Sequence, residues 1–184
     1  MKKTIGAAVA LALSAGLVWA AAGRQELPKP GKEHDFLKRF EGTWNLVAKF
    51  QPAPGAAVCE GRGEERNVLG CGGLWLIIDS KSEMMGAPFH GHALMGYDTD
   101  KKKYVGVFVD NTSSSLFLFE GTLDASGKVC TTSGEGKDPM TGKMVRYTLV
   151  YETKDADTNQ LTFKIPGPDG KEFSMGVITY TRKK

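Results

Sequence analysis

Gly42-Thr43-Trp44 opens the first stretch of strand-like alternation in the chain, and Arg182 stands near the end of the last. From Trp44 onward the apolar residues recur at every second position: Trp44, Leu46, Ala48 and Phe50 alternate with Asn45, Val47 and Lys49. That period places one set on each face of a β-strand. A tryptophan entering the first strand, covered by an arginine from the closing strand, is a way for a small antiparallel barrel to seal one end.

Between these two points the punctuation is regular. Strand-like runs (Cys59–Leu69, Leu74–Ile78, Phe89–Tyr97, Tyr104–Asn111, Leu116–Leu123, Lys128–Glu135, Met144–Thr153, Leu161–Ile165 and Phe173–Thr181) are divided by segments rich in Gly, Pro, Asp and Asn. With the first strand they predict about ten strands joined as sequential hairpins. No segment between them is long enough for the crossover helices of a parallel sheet. Closure removes exposed edges, so the expected fold is all-β: a single antiparallel up-and-down barrel. A short helix over Glu33–Glu41, with Phe36, Leu37 and Phe40 on one face, is expected to plug one mouth.

The ends of the chain read differently. Lys2 and Lys3 precede an apolar run from Ile5 to Val18, and Ala20-Ala21-Ala22 supplies small residues before Gly23. Residues 1–22 therefore read as a cleaved signal peptide, 23–32 as an extended leader and 33–184 as the barrel domain. The expected product is periplasmic or secreted, with no transmembrane anchor after cleavage. Removing Lys2 and Lys3 from the 24 basic residues leaves 22 against 21 acidic, so the formal charge of +3 falls to +1. This near-neutral balance argues against a nucleic-acid partner. Three cysteines, Cys59, Cys71 and Cys130, allow at most one internal disulfide. An extended strand, at about 3.3 Å per residue, holds Cys59 and Cys71 too far apart to pair. Pairing of Cys130 with either stays open.

Gly42, Trp44 and Arg182 are similar to the closing motif of the calycin group, which includes lipocalins and nitrobindin-like barrels. There the first-strand Trp packs under an Arg from the last strand. A longer resemblance runs through Phe40-Glu41-Gly42-Thr43-Trp44, Leu69–Trp75, Leu94-Met95-Gly96-Tyr97-Asp98, Tyr104-Val105-Gly106 and Phe119-Glu120-Gly121-Thr122-Leu123. In order and spacing these resemble an uncharacterised bacterial family, domain of unknown function 1579, for which a lipocalin-like barrel is expected. The resemblance implies a fold and no activity.

Candidate functional residues fall into two groups. His90 and His92, at i and i+2 on a strand, share one face as two ligands of a metal site must. A third ligand is undetermined, with His34, Glu83 and Asp110 as candidates, and the favoured reading is a solvent-facing or hydrogen-bonded pair. Zinc there, or haem, is an alternative; the nitrobindin-like His near the chain end is missing, since Phe173–Arg182 contains none. No cofactor is expected. The second group is aromatic and Met-rich: Trp75, Met95, Phe108, Phe117 and Tyr147, with His90 and His92, are the candidate ligand-binding residues. A barrel of about ten strands has room for a cavity, whereas smaller ones are filled by their own side chains.

The expected function is non-enzymatic binding of a small hydrophobic molecule, with Arg146 or Arg66 available for an acidic headgroup. The alternatives are a metal-assisted enzyme using His90 and His92, and an envelope interaction module with a filled barrel. Leu74–Ile78 and Leu116–Phe119 are apolar on both faces, so their outer faces must meet the helix, a membrane-associated partner or another subunit, the last as a homodimer built on one of these strands.

Overall fold

A computed structural model describes residues 26–84, 86–138, 141–167 and 170–184. The expected signal peptide and the first residues of the leader lie outside the described residues. A short helix, α1 (His34–Lys38), precedes ten strands. These are β1 (Gly42–Phe50), β2 (Cys59–Gly70), β3 (Trp75–Met84), β4 (Ala87–Asp98), β5 (Lys103–Asp110), β6 (Phe117–Leu123), β7 (Val129–Lys137), β8 (Met144–Thr153), β9 (Thr158–Pro166) and β10 (Glu172–Arg182). Each strand pairs antiparallel with its sequence neighbours, and β1 pairs with β10 to close the barrel. The all-β up-and-down fold read from the sequence is the observed one. No described helix is long and apolar enough to cross a membrane.

The closing seam sets Trp44 directly opposite Arg182. The guanidinium carbon lies 4.0 Å from the centroid of the indole. Its nitrogens donate to the carbonyls of Glu41 (2.8 Å), Arg39 (3.0 Å) and Ala156 (3.2 Å). Trp44 Nε1 and Asn67 Nδ2 both donate to the carbonyl of Phe40, at 2.8 and 3.1 Å. Gly42 makes the approach possible: at φ +120° a Cβ would stand 2.7 Å from Arg182 Nη1.

α1 is shorter than expected because the chain tightens after Lys38. Arg39, Phe40 and Glu41 donate to carbonyls three residues back, then the backbone extends into β1. Phe36 and Leu37 point into the barrel mouth and are buried with Trp44, Leu76 and Tyr104. The Tyr104 hydroxyl donates to the Glu33 carbonyl at 2.6 Å, which ties the front of the helix to β5. β3 runs six residues past Ile78, because its polar half pairs with Ala87–His92 of β4. All three cysteines are free thiols; Cys130 is buried, and burial pushes its thiol up to about 12, which makes it unreactive.

The outer wall carries one apolar feature. Val68, Ile77, Leu94, Val107 and Leu118 are successive cross-strand partners from β2 to β6, forming a row around the outside. Ile77, Leu94 and Leu118 remain 39%, 41% and 63% exposed.

The Arg182 contacts give the first prediction. Lysine cannot donate to three carbonyls in a fixed fork or stack flat on an indole. Arg182→Lys should therefore lower unfolding stability by about 2 kcal/mol, measured by urea denaturation, with the barrel fold retained by circular dichroism. An unchanged midpoint would show that the seam does not depend on this side chain.

Candidate functional site

Alternation decides which side chains reach the lumen. On β2 the outward set is Arg62, Glu64, Arg66 and Val68, so Gly61, Gly63, Glu65, Asn67 and Leu69 face inward. On β4, Phe89, Gly91, Ala93 and Met95 face inward while His90, His92 and Leu94 face solvent. Together the inward faces leave a cavity of about 120 Å³ above the plug helix. Its walls are mostly apolar, with Phe40, Leu76, Met95, Phe119 and Leu149 toward the sealed end and Ile78, Phe89, Phe108, Phe117 and Phe163 among the rest.

One corner is polar. Glu65, Asn67, Ser80, Gln160, Tyr151 and Tyr180 all contribute to the lining. Glu65 is 8% exposed and Asn67 2%. Asn67 Nδ2, besides holding the Phe40 carbonyl, donates to Glu65 Oε1 at 3.0 Å. Burial pushes the Glu65 carboxyl up to about 7, against hydrogen bonds from Asn67, Tyr180 and Ser80 that favour the charged form. Among the described residues no lysine, arginine or histidine pairs with it. Burial and the neighbouring Glu65 also raise the hydroxyls of Tyr151 and Tyr180 well above the ordinary tyrosine range, so both act as neutral hydrogen-bonding groups.

The residues singled out from sequence divide cleanly. Met95, Phe108 and Phe117 line the cavity. Tyr147 shares the inward face of β8 and packs edge-on against Phe117 at 5.8 Å, without reaching the cavity. Trp75 is a correction: its neighbour Leu76 takes the inward position, and the indole lies outside across Gly96, where a Cβ would stand 2.6 Å from the ring. His90 and His92 are a second correction, because the parity that buries Gly91 and Ala93 turns both imidazoles to solvent. His92 Nδ1 stands 3.7 Å from Asp79 of the adjacent strand. Among the described residues no three His, Cys, Asp or Glu side chains are placed to hold a metal ion. Neither histidine can ligate a group held inside the barrel. Arg66 and Arg146 are also exposed, and Arg146 donates to Ser133 at 2.8 Å. The lumen thus offers a carboxyl where a cation for an acidic headgroup is expected.

Glu65 and Asn67 are absent from the candidates drawn from sequence. A signal for them exists: with Arg62, Glu64 and Arg66 outward, period two forces the intervening Glu65 and Asn67 inward.

Because the folded state holds the Glu65 proton more tightly than an unfolded chain, its contribution to stability is present at acid pH. It is lost as pH rises from the ordinary glutamate range, near 4.5, through about 7. Glu65→Gln should abolish this loss, so the difference in unfolding free energy between variant and wild type should grow by about 3 kcal/mol between pH 4.5 and 7.5. Urea titrations across that range read it directly. Parallel pH profiles for the two proteins would show that Glu65 is not desolvated.

No curated protein matches the chain. Among solved structures, it is similar to a redesigned beta barrel, mFAP0, bound to DFHBI, at 12% identity and a TM-score of 0.42, covering 78% of this chain and 99% of that one. A second redesigned beta barrel matches at 10% identity and a TM-score of 0.41, covering 85% of this chain and 100% of the other. Residues 29–182, which span α1 and all ten strands, match the family described as protein of unknown function DUF1579. The chain belongs to that family.

Proposed function

We propose that this protein is exported to the periplasm and binds a small, mostly apolar molecule in the barrel lumen without catalysing a reaction on it. The cavity of about 120 Å³ inside a closed aromatic wall carries the reading. Proteins do not leave such volumes empty without loss, since each buried void forfeits dispersion contacts. An apolar cavity of about 150 Å³ is known to hold one benzene or xenon, so the guest is on the scale of a single ring or a short branched hydrocarbon. Glu65 is the only carboxyl among the described lining residues. The apolar run and small residues within positions 1–22 support export.

Toluene is a suitable first probe. Saturating toluene should raise the melting temperature of the mature chain by several degrees, as expected when ligand exceeds its dissociation constant about a hundredfold. Ala93→Leu, which adds three carbons at a lining position, should remove the shift while the barrel still folds. His90→Ala and His92→Ala should leave it untouched. A wild-type protein indifferent to toluene and to xenon would refute lumen binding.

A second reading concerns the outside. The row Val68–Ile77–Leu94–Val107–Leu118 contains no charged residue. Two copies can lay this row against itself about a two-fold axis, burying five apolar side chains from each and placing no row charge in the contact. Sedimentation at high concentration should then show a dimer that Leu94→Lys converts to a monomer. Monomeric wild-type protein would remove this reading.

A further inference from the structure

The polar corner of the lumen holds a buried carboxyl, and among the described lining residues no cationic side chain faces it. Asn67 spends both donor directions, on the Phe40 carbonyl and on Glu65 Oε1. Its Oδ1 is buried and has no partner. Glu65 faces the same space from the same strand, two residues away, with no cationic side chain beside it. The groups facing it from other elements are Ser80 on β3, Tyr180 on β10 and the nearby Tyr151 on β8, all neutral. The walls around this corner include the rings of Phe40, Phe119 and Tyr151. Aromatic faces attract cations.

We infer that the guest is a small primary amine, bound as its ammonium, whose donors reach Glu65 and Asn67 Oδ1 while a single-ring or branched hydrocarbon body fills the apolar remainder. An ammonium has three donors and no acceptor, which complements a carboxylate without a countercharge beside an amide oxygen without a partner. It supplies the countercharge that a buried carboxylate otherwise lacks. An acidic guest would face Glu65 with like charge. This inference rests on lumen binding.

The test uses four probes of nearly one shape on the mature chain at pH 7.5: toluene, benzyl alcohol, benzylammonium and benzoate. Titration calorimetry should rank benzylammonium at least tenfold tighter than toluene, with benzoate weakest. Glu65→Gln should lower affinity for benzylammonium at least tenfold, to the level of toluene or below, because the charge-assisted bond is removed and the ammonium is left without a countercharge. Wild-type protein alone gives an independent readout should the variant fail to fold. Between pH 6 and 8, affinity for benzylammonium should rise about tenfold as Glu65 gives up its proton, while affinity for toluene stays level. Toluene binding as tightly as benzylammonium, or benzoate binding best, overturns the amine and leaves lumen binding standing. Failure of all four probes overturns both.

Discussion

Three consecutive carbonyls behind the plug helix are all claimed by side chains of the barrel. Arg182 takes Arg39 and Glu41 from β10, while Trp44 of β1 and Asn67 of β2 share Phe40 between them. The end of a helix leaves its last carbonyls without partners inside the helix. Here the three strands that meet at the seam provide them. The stack of guanidinium on indole holds the donors in place. Closure of the sheet and attachment of the helix are therefore one event, and the lumen is enclosed at that end only when both have happened.

Asn67 carries this constraint into the cavity. An amide has one donor end and one acceptor end, and the Phe40 carbonyl fixes which way round this one must sit. With Nδ2 committed to the seal and to Glu65, Oδ1 has no choice of role. The polarity of the binding corner is thus inherited from the closing seam rather than set independently. The same amide that fastens the helix to the barrel presents an acceptor to whatever enters, and the carboxyl beside it is raised because it shares that dry environment.

The meander, the closure and the opposition of Trp44 and Arg182 were legible because they depend on local signals: period-two alternation, turn residues, and the positions of two distinctive side chains. The site was harder to read, and each miss has its own cause. Trp75 lies in a segment apolar on both faces, so alternation alone could not tell inside from outside; the deciding partner, Gly96, is twenty-one residues further on. His90 and His92 were correctly placed on one face, but which face depended on the alternate set Phe89, Gly91, Ala93 and Met95, which goes inward. Glu65 was the opposite case. Its parity was visible from the charged residues flanking it, yet an inward glutamate contradicts the expectation that carboxylates seek water, and only the assembled partners Asn67, Ser80 and Tyr180 make it tolerable.

That contradiction is itself informative about where selection for stability gives way. A phenylalanine or leucine at position 65 would fill part of the cavity, add dispersion contacts and remove a buried ionisable group, three changes that each favour the folded state. Elsewhere most of the described chain follows the local rules, with the register shift between Ser174 and Gly176 and the left-handed backbone of Cys71 and Lys102 as further departures. Departures from such consistency concentrate where a protein does its work. Here a cavity, a carboxyl without a cationic partner and an unpartnered amide oxygen coincide at one corner of one lumen. Other buried polar atoms without a partner, on His34, Thr132, Thr153 and Asn159, lie outside the cavity lining. Asn67 alone among them shares a cavity with a buried carboxyl, where one incoming donor group can reach both the amide oxygen and Glu65.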